Sequence, residues 1–139
     1  QDWAEAVAVR PDDYILVGGF ASNGTDDDIV IVRLDPQGNI DPTFGTNGKV
    51  VIDLGGDEYL EDLVLQPDGR LVGAGSTNDW SAGIYRSVLF RLNADGSKDT
   101  GFGTGGVVSM ELFPSAFDSF GAVALQADGR IVAAGDTAP

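Results

Sequence analysis

The 139-residue sequence contains no cysteine and no histidine. Without thiols there is no disulfide, no thiolate zinc site and no cysteine nucleophile. Without imidazole, a Ser-His-Asp triad, a histidine metal site and a histidine general base are all excluded within the chain. Positive charge is scarce too: eight Lys plus Arg stand against 22 acids, for a net charge of −14. No basic stripe is present to displace the counterions of a nucleic acid, so DNA and RNA are not expected as partners. Basic surfaces and divalent cations stay open. No stretch approaches the ~18 consecutive apolar residues of a membrane-spanning helix, and membrane insertion is not expected. The chain opens at Gln1 with no signal-peptide pattern, as expected of a processed or excised piece.

Glutamate is also rare. Of the 22 acids, 18 are Asp and four are Glu. Asp suits turns, where its short carboxylate caps nearby backbone N–H groups, so the charge itself speaks for a turn-rich fold.

What the sequence does hold is a repeat. "LQPDGRLVGAG" at 65–75 returns as "LQADGRIVAAG" at 125–135, with a weaker copy, "VRPDDYILVGG", at 9–19. Between the copies, "VRLDPQGNIDPTFGTNGKV" at 32–50 returns as "FRLNADGSKDTGFGTGGVV" at 90–108. Each repeat holds four short β-branched runs bounded by Gly, Asp, Asn and Pro, and no helical stripe survives between the glycines. In the second repeat the runs are 63–66, 70–75, 87–93 and 106–112, strands a to d. Gly69 supplies the positive φ that a tight a–b turn needs, and Asp13 stands in its place in the first repeat. Gly73 and Gly75 in strand b are expected to permit close packing near a central channel. Four antiparallel strands at this period read as β-propeller blades. A β-sandwich has no need of the same turn chemistry at every repeat. The expected organisation is all-β: a blade at 1–56, a second at 57–116, and the first half of a third at 117–139.

The ordered PDGR turn, the RL(N/D) strand end and the D-x-x-FGT turn resemble the delta-60 repeat family. That resemblance implies tandem propeller blades of bacterial secreted or surface proteins, hence an extracellular or cell-surface location. It implies no catalytic residues. Ala127 stands where the family usually has Pro. A propeller closes with about four or more blades. Completion by further blades of a parent chain, or self-association through an open edge, is therefore expected.

Repeat lengths differ in only two places. Gly19 to Arg33 spans 14 residues against 16 from Gly75 to Arg91; Gly45 to Gln66 spans 21 against 23 from Gly103 to Gln126. The b–c and d–a loops thus vary, and in an up-down blade they emerge at one end. This loop face comprises 20–28, 53–62, 76–86 and 111–121 and gathers the exposed-looking acids and aromatics. Loops on a rigid scaffold carry binding residues. The candidate ligand contacts are Trp80, Asp79, Tyr85, Phe113 and Asp57, suited to stacking on a sugar ring and hydrogen-bonding its hydroxyls. Packing between blades is the competing reading, favoured for Trp3 and Tyr59, which occupy matching positions.

Arg33 with Asp41 and Arg91 with Asp99 recur at a separation of eight, each followed by a phenylalanine, Phe44 or Phe102. On the length-invariant turn face they read as a latch across the c–d turn rather than a ligand pair. Calcium is raised by Asp26-Asp27-Asp28, since hard cations prefer clustered carboxylates. A solvated acidic turn is the preferred reading, because adjacent strand residues point in opposite directions. "NADGSKD" at 93–99 likewise reads as a turn. No cofactor is therefore expected. The functional expectation is a non-catalytic module binding a glycan or surface protein at the loop face. The alternatives are a purely structural repeat or assembly subunit, and a glycan-active enzyme fragment pairing Asp57 with Glu58 or Asp79.

Overall fold

A computed structural model describes residues 2–114 and 116–138. It is all-β, with ten antiparallel strands in three sheets. Blade 1 pairs β1 (Asp2–Val9), β2 (Ile15–Ser22), β3 (Asp27–Leu34) and β4 (Lys49–Ile52) in that order. Blade 2 repeats the pattern with β5 (Asp57–Leu65), β6 (Leu71–Asp79), β7 (Ile84–Leu92) and β8 (Val107–Met110). The third sheet pairs β9 (Phe117–Leu125) with β10 (Ile131–Ala138).

Turn chemistry sets the hairpins. Gly69 and Gly129 sit at φ +88° and +85°, and Asp13 takes the same left-handed region at +65°. Strand b carries a second requirement. Strand a slips register between Ala4 and Ala6, and between Leu60 and Asp62; the third sheet slips between Ala134 and Gly135. Opposite each bulge stands Gly19, Gly75 or Gly135, where a Cβ would lie 1.8, 1.9 or 1.8 Å from a strand-a carbonyl oxygen. At Gly73 an added Cβ would meet the Phe90 ring at 2.1 Å. These glycines admit the blade's own bulge and its own core ring.

Alternation in β3 and β7 gives each blade two apolar faces. One core seals blade 1 to blade 2: Leu16, Ile29, Ile31, Phe44, Val50 and Ile52 meet Leu60, Leu63, Leu71, Phe90 and Leu92. A smaller one, Val72, Ala74 and Val123 with Leu89 and Phe120 beside them, joins blade 2 to the third sheet. Burying each large side chain contributes about 1.5–3 kcal/mol, so the first junction carries most of the apolar stabilisation.

The strands run further toward the loop face than the sequence suggested. Asp57 to Glu61 belong to β5, Ser76 to Asp79 to β6, and Tyr85 to β7. Polar side chains there still pair their backbones, so the hydrophobic runs understate the strands. The b–c connections are consequently equal, four residues in each blade, and the two extra residues lengthen β6 and β7 by one each. Only the d–a insertion is a longer loop, 53–56 against 111–116.

Candidate functional site

At the turn face, Arg33 Nε donates to Asp41 Oδ2 at 2.7 Å and lies 4.8 Å over the Phe44 ring. Its Nη1 also donates to the Ala94 carbonyl of blade 2, so the pair ties two blades as well as one turn. Arg91 repeats the contact with Asp99 at 2.8 Å and lies 4.6 Å over Phe102, while Arg70 reaches the same Asp99 oxygen at 2.9 Å. Asp41 is held below the usual carboxylate range, first by the Thr43 hydroxyl and backbone N–H, then by Arg33. Asp99 is held low chiefly by Arg70. In 93–99 the oxygens serve the turn: Asp95 Oδ1 accepts from the Ser97 N–H and hydroxyl.

At the loop face, three of the five candidate ligand residues meet. The Trp80 ring stands 5.4 Å from Tyr85 and 5.6 Å from Phe117, and Tyr85 and Phe117 are 4.1 Å apart. Trp80 is nevertheless 54% exposed. Its indole N–H donates to Asp57 Oδ2, whose other oxygen accepts the Asp27 N–H from blade 1 at 3.0 Å. Asp57 is thereby an inter-blade tie as well as a neighbour of the exposed ring. Asp79 caps the hairpin, accepting from the Ser81 N–H and hydroxyl and the Ala82 N–H. The Ser81 hydroxyl leads in holding its pKa low. Asp79 also lines a pocket of about 260 Å³ with Leu54, Thr77, Arg86 and Ser109. Phe113 is 58% exposed on the d–a loop and takes no part in the ring cluster. Tyr59 packs edge-on against Phe20 of blade 1, centroids 4.9 Å apart, and Phe20 in turn meets Trp3.

Three acids of the loop-face segments are buried. Glu58 is fully buried and accepts from the Leu54 and Gly56 N–H groups and from the Thr77 hydroxyl at 2.6 Å. Burial pushes its pKa up, against those donors. Asp118 stands at the matching position and accepts from the Leu112 and Phe113 N–H groups. The second residue of strand a is thus an acid that ties down the d–a loop. Asp2, which begins β1, stands on the same rung as Glu58, a correspondence that strand matching makes visible. Asp28 is also buried, so Asp26 to Asp28 do not form one solvated turn. Asp26 stays in the hairpin, where its carboxylate accepts from the Asn23 side chain. Asp28 turns inward toward Asp53 and Glu58, one carboxylate oxygen of each lying within 4.8 Å of the others.

No curated protein matches the sequence. The sequence model of the family described as "Domain of unknown function (DUF5122) beta-propeller" matches residues 10–44 and 66–102. In each blade those segments run from the a–b turn through strands b and c to the latch, just over half of the chain in all, and the protein belongs to this β-propeller family.

Proposed function

We propose that this chain is a non-catalytic binding module of an extracellular or cell-surface β-propeller, taking a glycan ahead of a protein ligand at its loop face. The observation that carries the reading is the Trp80 ring: more than half exposed, braced by Tyr85 and Phe117, with the Asp57 carboxylate beside it. A braced aromatic face stacks on a sugar ring at little entropic cost, and neighbouring carboxylates accept from its hydroxyls. The resemblance of the PDGR and FGT turns to delta-60 repeats supports the location outside the cell.

The carboxylates that a glycan-cleaving reading needs have other work. Asp57 bridges two blades, Glu58 holds the d–a loop and Asp79 caps a hairpin, which supports a module without catalysis. A glycan array probed with the 139-residue chain and with Trp80→Ala tests the reading. Signals present in the parent and lost in the variant support it; a blank array favours the structural alternative.

That alternative, an assembly subunit, has its own support. β10 pairs only with β9 among the described residues, leaving a sheet edge that suits strands from further blades or from a second copy. Light scattering after size exclusion separates the two sources. A discrete oligomer points to pairing between copies, and a monomer points to further blades of one parent chain.

A further inference from the structure

The carboxylates of Asp28, Asp53 and Glu58 converge from three different segments: β3 of blade 1, the d–a loop and β5 of blade 2. Asp28 is 6% exposed; its Oδ2 accepts from the Asn23 side chain, while its Oδ1 is buried with no donor. Asp53 is exposed, so the cluster is reachable from solvent. Among the described residues no Lys or Arg forms a salt bridge with any of the three. Like charges this close, two of them buried, disfavour one another unless a cation joins them.

The next junction shows what the position calls for. Asp28 pairs with Ala21 on the rung where blade 2 pairs Arg86 with Thr77. Asp53 follows the end of β4 as Glu111 follows the end of β8, and Glu58 and Asp118 are each the second residue of strand a. The trio Asp28, Asp53, Glu58 thus corresponds to Arg86, Glu111, Asp118. In the second trio Arg86 lies 3.8 Å from Glu111, a guanidinium supplied by the chain itself. In the first that guanidinium is replaced by a third carboxylate.

We propose that Asp28, Asp53 and Glu58 bind a calcium ion between blades 1 and 2, its charge replacing the guanidinium that Arg86 sets beside Glu111 on the matching rung. The donor set is all oxygen, which suits a hard divalent cation and not a thiophilic metal. The buried Asp28 carboxylate, with one oxygen left without a donor, and the exposed Asp53 provide, respectively, a buried anchor and an entry path. This site does not depend on the ligand proposed for Trp80.

The test is calorimetric titration of the EDTA-treated 139-residue chain with calcium chloride, together with thermal melting in calcium and in EDTA. One equivalent is expected to bind, with a melting temperature raised by roughly 5–10 °C at about 100-fold excess over Kd. Asp53→Asn, an exposed change that leaves the core alone, should weaken binding at least about tenfold. Asp28→Arg should melt higher than the parent in EDTA and lose the calcium response, because it rebuilds the neighbouring junction's arrangement. Asp128→Asn, on an exposed turn, should keep the full response. A parent that neither binds calcium nor gains stability overturns the proposal. So does a response of equal size in Asp53→Asn, which would locate the ion elsewhere on this acidic surface.

Discussion

Between blades 1 and 2, the outermost matched rung carries Asp27 and Asp57, joined through a backbone N–H and a carboxylate; between blade 2 and the third sheet, the same rung carries Tyr85 and Phe117, joined ring to ring. One rung inward, three clustered carboxylates at the first junction stand against a guanidinium paired with Glu111 at the second. Deeper still the contrast reverses: the first junction has the large apolar core and the second has Val72, Ala74 and Val123. The first junction is therefore greasy at depth and polar at its mouth, the second lightly packed at depth and aromatic at its mouth. A repeat can thus conserve its backbone while exchanging the chemistry that glues neighbours together.

The largest test of the contrast lies in the cores. Phe90→Ala should cost about 3–5 kcal/mol in urea unfolding, because the ring is 1% exposed and fills the first junction. Val123→Ala at the second should cost about 2 kcal/mol. Equal losses would mean that the two junctions contribute alike.

The latches come next. Asp41→Ala should lose about 3 kcal/mol by leaving the buried Arg33 without its carboxylate. Asp99→Ala should lower the melting temperature by less than Asp41→Ala, its pair being more exposed, and should leave any ligand affinity unchanged. An Asp99→Ala chain melting with the parent would remove the latch from the account.

Acid should then expose the same groups. Asp41 and Asp99 have native pKa values below their unfolded ones, so their stabilisation is complete above the ordinary carboxylate range, near about pH 4, and is lost as pH falls through the lowered values. Glu58 slopes the opposite way because burial raises its pKa. Comparing the parent with Asp41→Asn across pH 2–6 isolates the latch: the gap in melting temperature should close at the acid end. A gap that stays constant would assign the loss to shape rather than charge.

The smallest effect is expected at the mouth of the first junction. Asp57→Ala removes the acceptor of the Asp27 and Trp80 N–H groups and should cost about 1 kcal/mol. No change at all would make the tie incidental to stability.

The blades and their turn face were legible because their turns need particular residues. The left-handed turn positions at Gly38, Gly69 and Gly96, and the Arg33 and Arg91 latches, recur wherever the backbone repeats. The loop face was less legible for two reasons. Its polar segments form strand without a hydrophobic run to announce it, so Asp57, Asp79 and Tyr85 looked like loop residues. Burial there is also set by the neighbouring blade, so nothing local distinguishes the buried Asp28 and Glu58 from the exposed Asp53. Matching Asp28 to Arg86 required the strand register, since the two-residue insertion hides the correspondence.

That insertion has a further consequence. It is divided evenly between β6 and β7, so every pair below it keeps its partner and every side chain keeps its face. A b–c hairpin lengthened by one residue would instead have to bulge or turn part of its inward side chains outward. The reach of this face is therefore quantised: an arm of the blade can grow by whole rungs, two residues at a time, and each added rung carries the hairpin tip about 3.4 Å further from the core.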